Sequence, residues 1–166
     1  MNFKQSDLEE LLQIQAEFDA RIDTHNIEDT KTAYFIEFTE WFNTIEPFKN
    51  WKQQKGKARE VQLAELADML AFGLSAYLQA PAGGRKHSVN IMSHTIDMAA
   101  LLVGSGQQEF DFDFIRQTYK QVEDENFNVM LQLPFMIAAD LYTVPELIDA
   151  YKTKMQVNHE RQDRGY

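Results

Sequence analysis

The sequence has no cysteine, and this absence excludes disulfide bonds and thiolate metal sites. The residues after Met1 are polar, so we expect no signal peptide. The longest nearly apolar stretch, from Leu66 to Leu78, is too short to cross a bilayer. Positive charge is scarce: the net charge is −10, which argues against non-specific binding to a phosphate backbone. We therefore expect a cytoplasmic protein that handles phosphates only through metal ions or a local basic cluster.

Several well-known functional motifs are also absent from the sequence. It has no Walker A loop, no Rossmann glycine fingerprint and no nucleophile elbow. The histidines are scattered, and none of them pairs with a serine or an acid at a motif spacing. They are His25, His87, His94 and His159. The sequence therefore assigns no role to them.

Helical periodicity dominates the chain, because apolar residues recur at spacings of three and four and no run alternates at period two. The first helix is expected to begin near Ser6, since Ser6 and Glu9 have capping-box spacing. Pro134 should kink or break the sixth helix. Further helices are expected at about 30–44, 59–79, 89–103, 111–123, 127–141 and from 143 onward. The pattern predicts an all-α, compact helical bundle with one domain over residues 1–166.

The third helix carries only two charged residues between Gln62 and Leu78, namely Glu65 and Asp68. The helix is apolar nearly all round, which predicts that it is buried. At 100° per residue, the two acids lie about 60° apart on one face. Neighbouring carboxylates in an apolar setting repel each other and lose hydration, and a divalent cation compensates for both. The alternatives are an exposed rim position or a buried ion pair with Lys or Arg.

The second helix repeats this spacing with Glu37 and Glu40, beside an aromatic stripe. Such a pair is common on surface helices, so its weight comes from its combination with Glu65 and Asp68. Oxygen ligands without His or Cys suit Mg²⁺ or Mn²⁺ rather than Zn²⁺. A di-iron centre is disfavoured, because Glu40 and Asp68 stand where its motif needs His.

A second set of residues offers contacts for the rest of a phosphorylated ligand. Lys154, Asn158 and Arg161 share one face of the last helix and suit a phosphate clamp, although a frayed terminus is an equal alternative. Gln15 and Asp19 interrupt the apolar stripe of the first helix. The amide of Gln15 suits the edge of a nucleobase, and a bond to another helix is the alternative.

The segment "EPFKNWK" places two lysines and a tryptophan just after the first acidic pair. Trp51 is a candidate for stacking on a base or sugar, and Lys49 and Lys52 are candidates for phosphate contacts. Ordinary packing of Trp51 with surface lysines is the alternative.

Taken together, these motifs resemble those of the dimeric all-α dUTPases, in the MazG-like group of NTP pyrophosphohydrolases. The motifs are "E-x-x-E", "FKNWK", "E-x-x-D" within "AELADMLAFGLS", and the terminal "K-x-x-x-N-x-x-RQ-x-x-GY". The resemblance runs from "LLQIQAEFD" to Tyr166 and is closest to the compact dUTPases of staphylococcal and related phages. Many of these relatives have Asn where Asp19 stands.

The resemblance implies Mg²⁺-dependent hydrolysis of dUTP, and of dUDP, by a homodimer whose partner subunit helps to close the site. Attack on the β-phosphorus would give dUMP and pyrophosphate, with Glu37 or Glu40 as the acid that accepts the proton of the water. The four acids would hold two or more Mg²⁺ ions, for which Mn²⁺ would substitute. The residues implied to contact substrate are Gln15, Asp19, Lys49, Trp51, Lys52, Lys154, Asn158, Arg161 and Tyr166.

Two other functions remain open at this point. One is pyrophosphohydrolysis of a different nucleotide, such as dCTP, by the same kind of site. The other is a binding role, because similar phage dUTPases are bound by repressors of pathogenicity islands. The intact set of four acids argues against a protein that only binds.

Overall fold

The computed structural model describes residues 3–81, 86–103 and 109–165, and within these ranges the protein forms helices and no strand. The helices are α1 (Gln5–Asp19), α2 (Ile27–Ile45), α3 (Arg59–Gln79), α4 (Val89–Val103), α5 (Phe112–Glu123), α6 (Phe127–Leu141) and α7 (Val144–Asp163). The predicted all-α fold is confirmed, and the bounds of α3, α4 and α6 agree with those expected from periodicity.

Two helix starts differ from the expected positions because other residues cap them. Helix α1 begins at Gln5, near the expected Ser6, but its N-cap residue is Lys4 rather than Ser6, and the backbone N–H of Lys4 donates to Asp7 Oδ2 at 2.8 Å. Helix α2 begins earlier than residue 30, because Asn26 Oδ1 accepts the backbone N–H of Asp29 at 2.9 Å. An amide oxygen at this position satisfies one of the unpaired donors of the first turn.

Two local predictions concern the cap of α7 and the effect of Pro134 on α6. Thr143 caps α7 as expected, with its Oγ1 accepting the backbone N–H of Glu146 at 3.3 Å. Helix α6 continues through Pro134, so this proline does not break the helix. Pro134 is buried between neighbouring helices, and tertiary packing outweighs the local cost of the missing N–H.

Helix α3 lies at the centre of the bundle and packs against α1, α2, α6 and α7. Its buried residues include Leu66, Met69, Leu70 and Leu74, as its apolar composition predicted. Over its full 21 residues the helix is long and apolar enough to span a membrane, but 61% of the apolar window is buried. A core helix passes the same test, so this feature is weak evidence for a membrane span.

Helices α2 and α3 run antiparallel, and hydrogen bonds at both ends show their register. The Lys57 N–H donates to the carbonyl of Thr44 at 2.8 Å, where α2 ends and α3 is about to begin. At the other end of the pair, Gln79 Nε2 donates to Thr30 Oγ1 at 2.8 Å. This register places the middle of α2 beside the middle of α3, where the two acidic pairs lie.

Candidate metal centre and nucleotide site

Three carboxylates from two helices converge in the middle of the α2–α3 pair. One oxygen each from Glu37, Glu65 and Asp68 lies within 4.8 Å of the others. All three residues are half-buried rather than fully buried. The apolar residues of α3 pack into the bundle, and this leaves its acidic face toward α2 and α7. The structure therefore brings together acids that are far apart in the sequence.

The electrostatics of this cluster reflect burial and mutual repulsion. The pKa of Glu37 is raised to about 7, first by burial and then by the charges of Asp68, Glu40 and Glu65. Burial also raises the pKa values of Glu65 and Asp68. Glu40 is exposed and lies outside the close trio, but its charge raises the pKa values of all three residues. The four predicted ligands thus act on one another electrostatically.

Helix α7 brings cations to the same cluster. Lys154 Nζ lies 2.6 Å from Asp68 Oδ2, with 29% of the lysine side chain and 17% of the aspartate side chain exposed. The charge of Arg161 also lowers the pKa of Asp68, so Arg161 lies within electrostatic range. Asn158 is half-buried on the same helix, and Tyr166 lies outside the described residues. Asp68 therefore forms an ion pair with a lysine, which was the alternative to metal binding. Glu65 lies in the acidic trio with Glu37 and Asp68.

The donor set fits a divalent cation. Three carboxylates share the space with one nearby lysine, and their raised pKa values show that this lysine does not cancel their repulsion. The converging atoms are all oxygens, which hard cations such as Mg²⁺, Mn²⁺ and Ca²⁺ prefer in proteins. Glu37, Glu65 and Asp68 are the residues placed to hold such a cation, with Glu40 at the rim.

Gln15 and Asp19 lie at the end of α1 and interact directly. Gln15 is 3% exposed, and its Nε2 donates to Asp19 Oδ1 at 2.7 Å. The Tyr151 hydroxyl on α7 donates to Gln15 Oε1 at 3.0 Å. Both polar residues on the apolar stripe thus have hydrogen-bond partners. For Gln15 one of these partners, Tyr151, lies on another helix, which was the alternative to reading a nucleobase.

The lysines after α2 are engaged by an acid that the motif analysis did not single out. Lys49 Nζ lies 2.8 Å from Glu46 Oε1, and Lys52 pairs with Glu46 Oε2. These two bonds are the main reason that the pKa of Glu46 falls to about 2. Trp51 is 71% exposed, and its ring meets Phe48 edge-on at 6.4 Å. In this structure both lysines pair with Glu46, although their side chains stay partly exposed to solvent.

The sequence reasoning missed two polar residues near Asp19. Ser75 donates to Asp19 Oδ2 at 2.8 Å, and His25 Nε2 lies 2.8 Å from Ser75 Oγ. Ser75 carried a signal, since it is a polar residue in an apolar helix, seven positions after Asp68 and so on the same face. His25 carried none, because it lies between helices at no motif spacing.

The raised pKa of Glu37 predicts how stability depends on pH without divalent cations. The folded protein holds this proton more tightly than the unfolded chain, because burial and the charges of Asp68, Glu40 and Glu65 disfavour the ion, and Lys154 only partly offsets them. The free energy of unfolding should therefore fall as pH rises from about 4.5 to about 7, where Glu37 ionises in the fold.

Urea titrations in EDTA at several pH values between 5 and 8 measure this effect. The Glu37→Gln variant should lose less stability over this range than the wild type, because its side chain cannot ionise. The other titratable groups are common to both proteins and serve as the internal control. Parallel pH curves for the two proteins would contradict the assignment.

Comparison with known proteins agrees with this geometry. The sequence profile of a family described as dUTPase matches residues 7–166, which is nearly the whole chain and includes every described residue of the site. No curated protein matches the chain in a direct sequence search. The chain therefore belongs to this dUTPase family and is a dUTP diphosphatase, an enzyme that hydrolyses dUTP.

Proposed function

We propose that the enzyme hydrolyses dUTP to dUMP and pyrophosphate in a Mg²⁺-dependent reaction, accepts dUDP as well, and works with Mn²⁺ in place of Mg²⁺. The observation that carries this proposal is the convergence of Glu37, Glu65 and Asp68, with Lys154 beside them. An acidic protein can accept a polyphosphate only where cations offset its charge, and this cluster suits that purpose. Its place of action in this proposal is the cytoplasm, that of the host if a phage encodes the protein.

The acids divide into two roles in the proposed reaction. Glu37, Glu40, Glu65 and Asp68 hold two or more ions, which when bound neutralise phosphate charge and activate water. Glu37 or Glu40 accepts the proton of that water. Bound cations would lower the pKa of Glu37 from its metal-free value of about 7 and leave its carboxylate ionised at neutral pH, as a proton acceptor must be.

The cations of α7 bind the phosphates in this proposal. Lys154 pairs with Asp68 here, and its flexible side chain can exchange that carboxylate for a phosphate oxygen. Asn158 and Arg161 extend the same surface. In the loop after α2, Lys49 and Lys52 would exchange Glu46 for phosphate in a similar way.

The nucleoside is proposed to lie toward the end of α1. Gln15 and Asp19 present polar atoms there and are candidates for reading the base. Trp51 is exposed on the loop after α2 and is a candidate for stacking from a neighbouring subunit. Tyr166 completes the set of proposed substrate contacts.

Pyrophosphate release from dUTP tests the metal requirement directly. The enzyme should be active with Mg²⁺ or Mn²⁺ and lose its activity in excess EDTA, with recovery on adding back the metal. A panel of dUTP, dUDP and dCTP under the same conditions tests the substrate, with phosphate release measured for dUDP. Full activity in EDTA would contradict the metal proposal, and a preference for dCTP would replace dUTP as the substrate.

We also propose a homodimer, although burial of the apolar helix α3 does not require one. Helix α3 is covered by four helices of its own chain, so it needs no partner to bury it. Exposed aromatic residues elsewhere support a dimer instead, since Phe112 is 75% exposed, Trp51 71% and Phe48 49%. A repressor of a pathogenicity island is a further proposed partner.

Light scattering at micromolar concentration tests the assembly. We expect about twice the mass of the 19.3 kDa chain. Replacing Phe112 and Trp51 together by Ser should shift the equilibrium toward the monomer, because the apolar surface would no longer favour association. A fully active wild-type monomer would contradict the dimer.

A further inference from the structure

We infer that Ser75 and His25 are positioning residues for nucleobase recognition, because they hold Asp19 and, through it, Gln15 in one hydrogen-bonding arrangement. The inference rests on the proposed function, since it concerns the base of the nucleotide whose phosphates lie at the carboxylate cluster. Neither residue was singled out by the sequence motifs.

The four side chains form a continuous chain of short contacts. Gln15 Nε2 donates to Asp19 Oδ1 at 2.7 Å, and Ser75 Oγ donates to Asp19 Oδ2 at 2.8 Å. His25 Nε2 lies 2.8 Å from Ser75 Oγ and 3.6 Å from Asp19 Oδ2. Tyr151 closes the other end through its bond to Gln15 Oε1 at 3.0 Å. Both carboxylate oxygens of Asp19 are thus bound by the protein.

The number of available hydrogens decides the direction of each bond. A carboxylate only accepts, so the single hydroxyl hydrogen of Ser75 is directed to Asp19. The short contact between Ser75 and His25 then needs a hydrogen on His25 Nε2. Gln79 Nε2 also lies 3.0 Å from this ring atom, but both of its hydrogens have other acceptors, Thr30 Oγ1 at 2.8 Å and Ser75 Oγ at 3.3 Å. His25 therefore donates to Ser75, and Ser75 donates to Asp19.

This network lies at a suitable place for the nucleoside. Ser75 follows Asp68 by seven residues, which places it on the same face of α3 and about 10 Å further along the helix. Asp19 and His25 open onto a groove of about 350 Å³, which Gln79 also lines. A nucleotide with its phosphates at Asp68 would extend along this face and bring its base toward Asp19.

The arrangement leaves an acceptor and a donor for the base, with Asp19 at the groove and the buried Gln15 directly behind it. Gln15 Oε1 faces Tyr151, so Nε2 keeps one N–H after its bond to Asp19, and the carboxylate keeps unused lone pairs. Uracil offers a ring N–H beside a carbonyl oxygen, and these two groups complement Asp19 and Gln15. Cytosine offers an acceptor nitrogen beside an amino group, so both contacts would be mismatched.

Kinetics with dUTP and dCTP test this inference. Asp19→Leu should lower the ratio of kcat/KM for dUTP over dCTP by about 10- to 100-fold, because the acceptor for the ring N–H of uracil is lost. Ser75→Ala should lower the same ratio by about 10-fold, mainly through KM for dUTP. Direct binding of dUMP and dCMP in EDTA should show the same loss of preference without any metal.

A matched pair at His25 separates positioning from general destabilisation. Gln can place an N–H near the position of the imidazole Nε2, so His25→Gln should keep most of the preference for uracil, whereas His25→Leu should lose it. Equal losses for dUTP and dCTP in every variant, or equal behaviour of the two His25 variants, would overturn the inference. A wild type that fails to hydrolyse dUTP would instead overturn the proposed function, and the dUMP and dCMP titrations would still test the network.

Discussion

Glu65→Gln should lower dUTP hydrolysis by about two to three orders of magnitude while the metal-free protein keeps its stability or gains some. The change removes one negative charge from the trio of Glu37, Glu65 and Asp68 and leaves the shape of the side chain nearly unchanged. Burial and the charge of Asp68 raise the pKa of Glu65, so its ionised form is unfavourable in the absence of a cation. The amide relieves that repulsion but weakens metal binding.

Thermal melts in EDTA and in excess Mg²⁺ separate the two effects. Mg²⁺ should stabilise the wild type by mass action and stabilise Glu65→Gln less. Asp68→Asn is the matched comparison: it also removes a charge from the cluster but deprives Lys154 of its partner, so it should be less stable in EDTA than Glu65→Gln. Equal Mg²⁺-induced shifts in Tm for all three proteins would show that the metal binds elsewhere.

Lys154→Met should lower kcat/KM for dUTP by about 100-fold and, in contrast to Glu65→Gln, should increase the stabilisation by Mg²⁺. In the metal-free protein Lys154 lies against Asp68 and partly offsets the charge of the cluster. Removing the ammonium leaves the acids without this compensation, which destabilises the apo protein above neutral pH. It also frees Asp68 for the cation, so metal binding should recover more stability.

Thermal melts with and without Mg²⁺ measure this effect as the Mg²⁺-induced shift in Tm of Lys154→Met, Lys154→Arg and the wild type. Arg keeps the charge, so Lys154→Arg should give a shift close to that of the wild type even if its altered shape slows catalysis. A smaller Mg²⁺-induced shift in Lys154→Met than in the wild type would mean that Lys154 supports metal binding instead of competing with it.

The sequence alone was sufficient for the helices and for the faces on which the acids lie. Helical periodicity and the spacing of three between Glu37 and Glu40, and between Glu65 and Asp68, are local properties that each segment carries without its neighbours. The absence of Cys and His beside these acids limited the site to oxygen ligands. Errors at this level were confined to helix ends, such as the N-cap of α1 at Lys4 rather than at Ser6.

Only the tertiary structure decided which side chains meet. Spacing cannot show that Glu37 joins Glu65 and Asp68 while Glu40 stays at the rim, or that Lys154 pairs with Asp68. Those contacts depend on the register of α2 and α7 against α3, which packing of the apolar residues around α3 sets. The contact of Ser75 with Asp19 has the same origin, since 56 residues separate them and only the crossing of α1 and α3 brings them within 2.8 Å.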